Sequence, residues 1–159
     1  MDDEEEAQRK LPERLLHDAF PKFFPIDEIS EASFTAEDGG FGTVSILWTH
    51  AAKKYEIKYF KCLTADEIKA VQVSEYEVVV FIFDVHRDND NGQGAGTFLE
   101  QSVRAAEELV GTNELRAVIW THFPTSDAAK KSRYDAVRKQ DTSAFAMRIM
   151  EMLGFETSG

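Results

Sequence analysis

The residues with the clearest chemical potential lie between Val78 and Leu99, where VVVFIFDV is followed by HRDNDNGQGAG and then by TFL, which opens a helical pattern. A run of β-branched and aromatic residues reads as a strand buried on both faces, and glycines after it let the backbone turn tightly before a helix begins. The unpaired N–H groups at a helix start carry partial positive charge and attract an anion. The order of residues therefore marks the glycine-rich HRDNDNGQGAG stretch as a candidate phosphate-binding loop, although glycine-rich turns also follow strands where nothing binds. Asp84 and His86 stand at the end of the same apolar run, as proton-moving groups or as turn residues. Glu56 and Lys58 share one face of a second alternating segment, because side chains two apart in a strand point the same way.

Composition bounds what can hold these residues. With 159 residues, 43% apolar and 11% aromatic, the chain can bury one sizeable core. The expectation is an acidic, mobile stretch over residues 1–8, whose MDDEEE charges repel one another, and a single α/β domain over residues 9–159. No apolar run approaches a membrane span and no secretion signal is evident, which points to the cytoplasm and away from a membrane partner. The lone Cys62 excludes an internal disulfide and a cysteine-rich zinc site. A formal charge of −11 argues against broad attachment to nucleic acid, which needs positive surface to displace counterions.

In chain order, Leu15, Leu16, Ala19, Phe20 and Phe23 recur at helical spacing, and Pro21 and Pro25 mark the end of that helix. EASFTA, TVSILWTH and YEIKYFKC alternate and are joined by EDGGFG and AAKK, which predicts an antiparallel meander of three strands. Thr64 and Glu67 have capping-box spacing for a short helix before the central strand. Thr97 to Val110 is helical and stops at Gly111, and LRAVIWTH is a strand parallel to VVVFIFDV. Ser126 or Asp127 caps a polar helix through Arg138, and Ser143 to Leu153 forms a last amphipathic helix closed by Gly154, its methionines serving as core filler. The fold class expected is α/β: a three-layer mixed sheet, an antiparallel meander followed by a parallel strand pair, with helices on both faces. WTH occurs at Trp48–His50 and again at Trp120–His122, a repeat best explained by chance.

Several segments resemble the GNAT acyl-CoA N-acyltransferase superfamily. NGQGAGTFL looks like the family's Arg/Gln-x-x-Gly-x-Gly/Ala loop, with Asn91 at the first polar position and Gly94 and Gly96 at the glycine positions. LLHDAFP with SFTAEDGG and GTVSIL is similar to its first helix and hairpin, and Ser143, Ala146, Met150, Gly154 and Phe155 keep the spacing of its late segment. The resemblance implies acetyl-CoA held by residues 91–96 and acyl transfer to a small-molecule or protein amine, with Asp84, His86 or Tyr134 moving the proton. Asn91 and Met150 depart from the family's Arg or Gln and Tyr, and HFPTSD through Thr142 looks like an insertion.

Two other resemblances are carried by other residues. The helix, the meander and the Glu56-x-Lys58 pair are similar to the PD-(D/E)xK nucleases, which would imply Mg²⁺ bound by Asp38 and Glu56 with Lys58 positioning water. The hairpin, short helix, YEVVVFIFDV and later helices resemble a small-GTPase-like fold, and WTHAAKKY with TADEI looks like the adaptin-binding protein family, whose GTPase-like domain assists adaptor assembly. That resemblance implies a non-catalytic domain with a protein partner; the chain contains no GxxxxGK[ST] phosphate loop.

Overall fold

The computed structural model describes residues 10–11, 13–24, 29–36, 43–50, 52–60, 65–85 and 95–156. The described residues divide into two compact units, one within residues 62–140 and one made of those within 5–61 and 141–159. Its strands pair as two sheets of three rather than as the one mixed sheet expected from the sequence, because the described strands find partners only within their own group.

The unit formed by residues 62–140 is built on a parallel sheet. Its elements are helix α2 (Ala65–Lys69), strand β4 (Phe81–Phe83), helix α3 (Ala95–Val110), strand β5 (Ala117–Thr121), helix α4 (Asp127–Lys131) and strand β6 (Ala136–Arg138). The strand order is β4-β5-β6, with Phe81–Phe83 aligned to Ala117–Ile119 and Ile119–Thr121 aligned to Ala136–Arg138. Val118, Ile119 and Trp120 of the central strand are buried together with Phe83, and on α3 Leu99, Ser102, Ala105 and Ala106 are buried. These α3 positions lie three or four apart, which keeps one face of the helix inward. Gly111, at φ +79°, ends α3 as a left-handed residue whose N–H bonds to the Glu107 carbonyl, a conformation that glycine adopts without a steric penalty.

Residues 127–138 depart from the single polar helix read from the sequence. Ser126 does cap α4, accepting from the Ala129 N–H, but the helix stops at Lys131 and Ser132 is extended. Ala136–Arg138 then join the sheet, and the Ile119 N–H donates to the Asp135 carbonyl. A short β segment with a waiting strand gains ladder bonds that outweigh the weak helical preference of an exposed polar stretch. Likewise the strand within VVVFIFDV covers only Phe81–Phe83.

The second unit contains helix α1 (residues 15–23), strands β1 (Ile29–Ala36), β2 (Thr43–His50) and β3 (Lys53–Phe60), and helix α5 (Thr142–Met152). β1 pairs antiparallel with β2, and β2 antiparallel with β3, in the order β1-β2-β3. The register brings His50 opposite Lys53, so the lysines of AAKK belong to β3, and Ala52, at φ 64°, lies in the turn just before it.

Helix α1 is π-wound over Leu15–Ala19 and α-helical over Phe20–Phe23. It passes through Pro21 instead of ending there. The Phe20 N–H reaches back five residues to the Leu15 carbonyl, and this wider turn accommodates a proline that has no N–H to donate. α5 packs on α1, burying Phe145, Ala146, Ile149 and Met150, so this methionine is core. The Asp141 carboxylate caps α5 by accepting from the Ala144 N–H, and Gly154, at φ +96°, follows its last turn. Between the helices the Ser143 hydroxyl donates to Asp18, which also pairs with Arg14 at 3.1 Å. Phe24, Tyr55 and Phe155 form an aromatic cluster with ring centroids 5.2 to 6.3 Å apart.

Candidate functional site

A parallel sheet places the residues that follow its strands along one edge, and in α/β proteins this carboxyl edge is where ligands are held. Here Asp84 follows β4, Thr121 ends β5 and Lys139 follows β6. Lys139 Nζ lies 2.8 Å from Asp84 Oδ2, and the two side chains are 4% and 5% exposed. The other carboxylate oxygen of Asp84 accepts from the Val85 N–H at 2.7 Å. The ammonium also lies 5.4 Å from the ring centroid of Trp120, and the Lys139 N–H donates to the Thr121 carbonyl at 2.9 Å. Thr121 is fully buried, its Oγ1 accepting from the Phe123 N–H. The pair thus reaches from the strand at one side of β5 to the strand at the other. Both of its charges are neutralised within the unit.

Lys139 was not among the residues singled out from the sequence. Its pairing with Asp84 spans 55 residues, and it follows a strand of only three. The local signal was slight: Val137, β-branched, with a basic residue directly after the strand.

The strand-end candidate His86 lies outside the described residues, as do Asn91, Gly92, Gln93 and Gly94 of the glycine loop, while Ala95 and Gly96 of that loop are the first two residues of α3. Tyr134 is elsewhere. Its hydroxyl is 3.4 Å from both the Glu107 carboxylate and the Asn113 carbonyl, on the last turns of α3 and just beyond them. Glu107 is about 18 Å along the helix from Ala95 at 1.5 Å per residue, so Tyr134 stands at the opposite end of α3 from the loop. Burial and the neighbouring Glu107 carboxylate push its phenol above the ordinary value of 10.0.

Asp38 also lies outside the described residues. On β3, Glu56 is exposed and Lys58 holds its ammonium 5.9 Å from the Phe60 ring centroid. Among the described residues no group of three or more His, Cys, Asp or Glu side chains is arranged to hold a metal. The two WTH tripeptides fall one in each unit: Trp48–His50 ends β2, whereas β5 ends at Thr121 and the exposed His122 follows it.

A cavity of about 510 Å³ opens between α3 and the α4–β6 connection. Leu99 and Val103 give it an apolar wall, Arg104 and Lys131 bring cations from the two helices, and Ser132 and Tyr134 add hydroxyl groups. That volume is within the range of small-molecule and peptide side-chain pockets. No described helix is long and apolar enough to cross a membrane. Comparison of the chain with family models, with curated proteins and with solved structures returned no match.

Proposed function

We propose that this chain is a protein-interaction domain of the small-GTPase-like kind that resembles the adaptin-binding proteins, and that its partner is a subunit of a protein assembly. The observation that carries this reading is the buried Asp84–Lys139 pair across the carboxyl ends of β4, β5 and β6. A catalytic carboxylate needs a free oxygen facing substrate. Both oxygens of Asp84 are engaged, one by an ammonium and one by a backbone N–H, so the residue acts as a clasp for the sheet. The segment from HFPTSD to Thr142 adds support: it supplies α4, β6 and Lys139, and is therefore an integral part of the sheet where the acyltransferase resemblance makes it an insertion.

A second reading, acyl-CoA bound at residues 91–96, is favoured by one feature: α3 opens at Ala95, within that stretch, and runs for 16 residues. A phosphate at such a helix start is favoured by the first-turn N–H groups.

One calorimetric series separates the two. The purified chain is titrated with acetyl-CoA, with GTP and Mg²⁺, and with the isolated large subunit of an adaptor complex. The interaction reading expects saturable heat with the protein alone. Micromolar heat with acetyl-CoA that is lost in Gly94→Trp would replace it with the acyl-CoA reading.

A further inference from the structure

Between positions 126 and 140 the chain carries five cationic residues against two acidic ones, although its overall formal charge is −11. The densest part is Lys130, Lys131, Ser132 and Arg133. The three cations are exposed, and Ser132 is half-buried beside them with an extended backbone at φ −74°, ψ 148°. We propose that Ser132 is a phosphorylation site for a protein kinase that reads basic residues, and that its phosphate is held by Arg104 and Lys131 in the α3–α4 cavity.

Three features of the structure converge there. A kinase binds its acceptor segment extended, and Ser132 already has that backbone between a five-residue helix and a three-residue strand. Segments bounded by such short elements open locally at small cost. Among the described residues the Ser132 hydroxyl is fastened only by accepting from the Tyr134 N–H at 3.3 Å, which leaves its proton free to transfer. Arg104 and Lys131 line the same cavity as Ser132, and among the described residues no carboxylate lies within ion-pair distance of either. Glu100, Glu107 and Asp127 also line it, each with a single charge. A phosphate carries nearly two charges and three acceptor oxygens, so it outcompetes them for the guanidinium.

In the transfer, Ser132 Oγ attacks the γ-phosphorus of ATP. The Oγ–P bond forms as the bond to the ADP oxygen breaks, and the hydroxyl proton passes to the kinase's base. The product ties α3 to the α4–β6 connection through an Arg–phosphate contact. This inference does not depend on which partner the domain binds.

The test uses the full chain, Mg²⁺-ATP and the catalytic domain of protein kinase C, with tandem mass spectrometry and thermal unfolding as readouts. The expected result is one phosphate on Ser132, absent in Ser132→Ala, with Arg133→Glu slowing incorporation by about tenfold through loss of charge complementarity. The thermal midpoint should rise by about 2–4 °C on modification. Arg104→Gln should abolish that rise while leaving incorporation unchanged. Failure to modify Ser132 in the folded chain, whether or not the urea-unfolded chain is modified, overturns the site. A rise that persists in Arg104→Gln, or no rise at all, overturns the assignment of the phosphate to the cavity.

Discussion

Asp84 and Lys139 are each at most 5% exposed and satisfy one another, which makes their pairing conditional: neither tolerates the loss of its partner. Lys139→Met leaves a buried carboxylate with a single backbone donor and should lower stability by about 3–5 kcal/mol. Replacing both, as Asp84→Leu with Lys139→Met, should cost much less than the sum, since an apolar pair of similar volume removes the stranded charge. Urea unfolding of the two single variants and the double variant measures the coupling. Additive losses would mean that the two side chains act independently. Ser132 belongs to a different class of residue, because its hydroxyl accepts one weak backbone bond and stands among exposed cations. Asp84 was visible in the sequence as a strand-end acid, but its role was not. A carboxylate that follows a strand has the same local sequence whether it meets substrate, a turn N–H or a lysine 55 residues away.

Helices α1 and α5 are joined by a polar contact as well as by their buried faces. The Ser143 hydroxyl bonded to Asp18, followed by the Arg14 guanidinium, holds the Asp18 carboxyl below its ordinary value of 3.8. A carboxyl whose folded value is depressed stabilises the fold above its unfolded value, and that contribution disappears as pH falls through the lower, folded value. Urea midpoints compared between about pH 5 and about pH 2 should therefore show native protein and Asp18→Asn converging as the pH drops. A constant difference across that range would show that the Asp18 charge adds nothing to the helix pair. The helices themselves were legible residue by residue. Leu15, Ala19, Phe20 and Phe23 are buried as their spacing required, and Gly111 and Gly154 stop α3 and α5 because each takes a positive φ. The π-wound segment was not legible. Pro21 reads as a helix end, yet the helix continues through it to Phe23 after the wider turn in which the Phe20 N–H bonds to the Leu15 carbonyl.

In the unit carrying the parallel sheet, burial is uneven: Val118, Ile119 and Trp120 are almost wholly enclosed, whereas most residues from Ser126 to Asp135 are half-buried or exposed. Native-state hydrogen exchange should therefore find the amides of β5 among the last to exchange and those of α4 among the early ones. Equal protection in both would remove the local opening on which access to Ser132 depends. The sequence by itself determined what short-range physics decides: the apolar faces of α3 and α5, their glycine stops, a helix cap at Ser126 or Asp127 and the strand character of β2, β3 and β5. Periodicity and capping act within one or two turns, so their signals lie in adjacent residues. Tertiary structure alone decided that residues 136–138 form a strand, that the strands divide into two sheets, and that Lys139 closes over Asp84. A three-residue strand is too short to show a period, and its identity comes from the partner it pairs with. The charge it brings to Asp84 is specified by that pairing, not by the residues beside it.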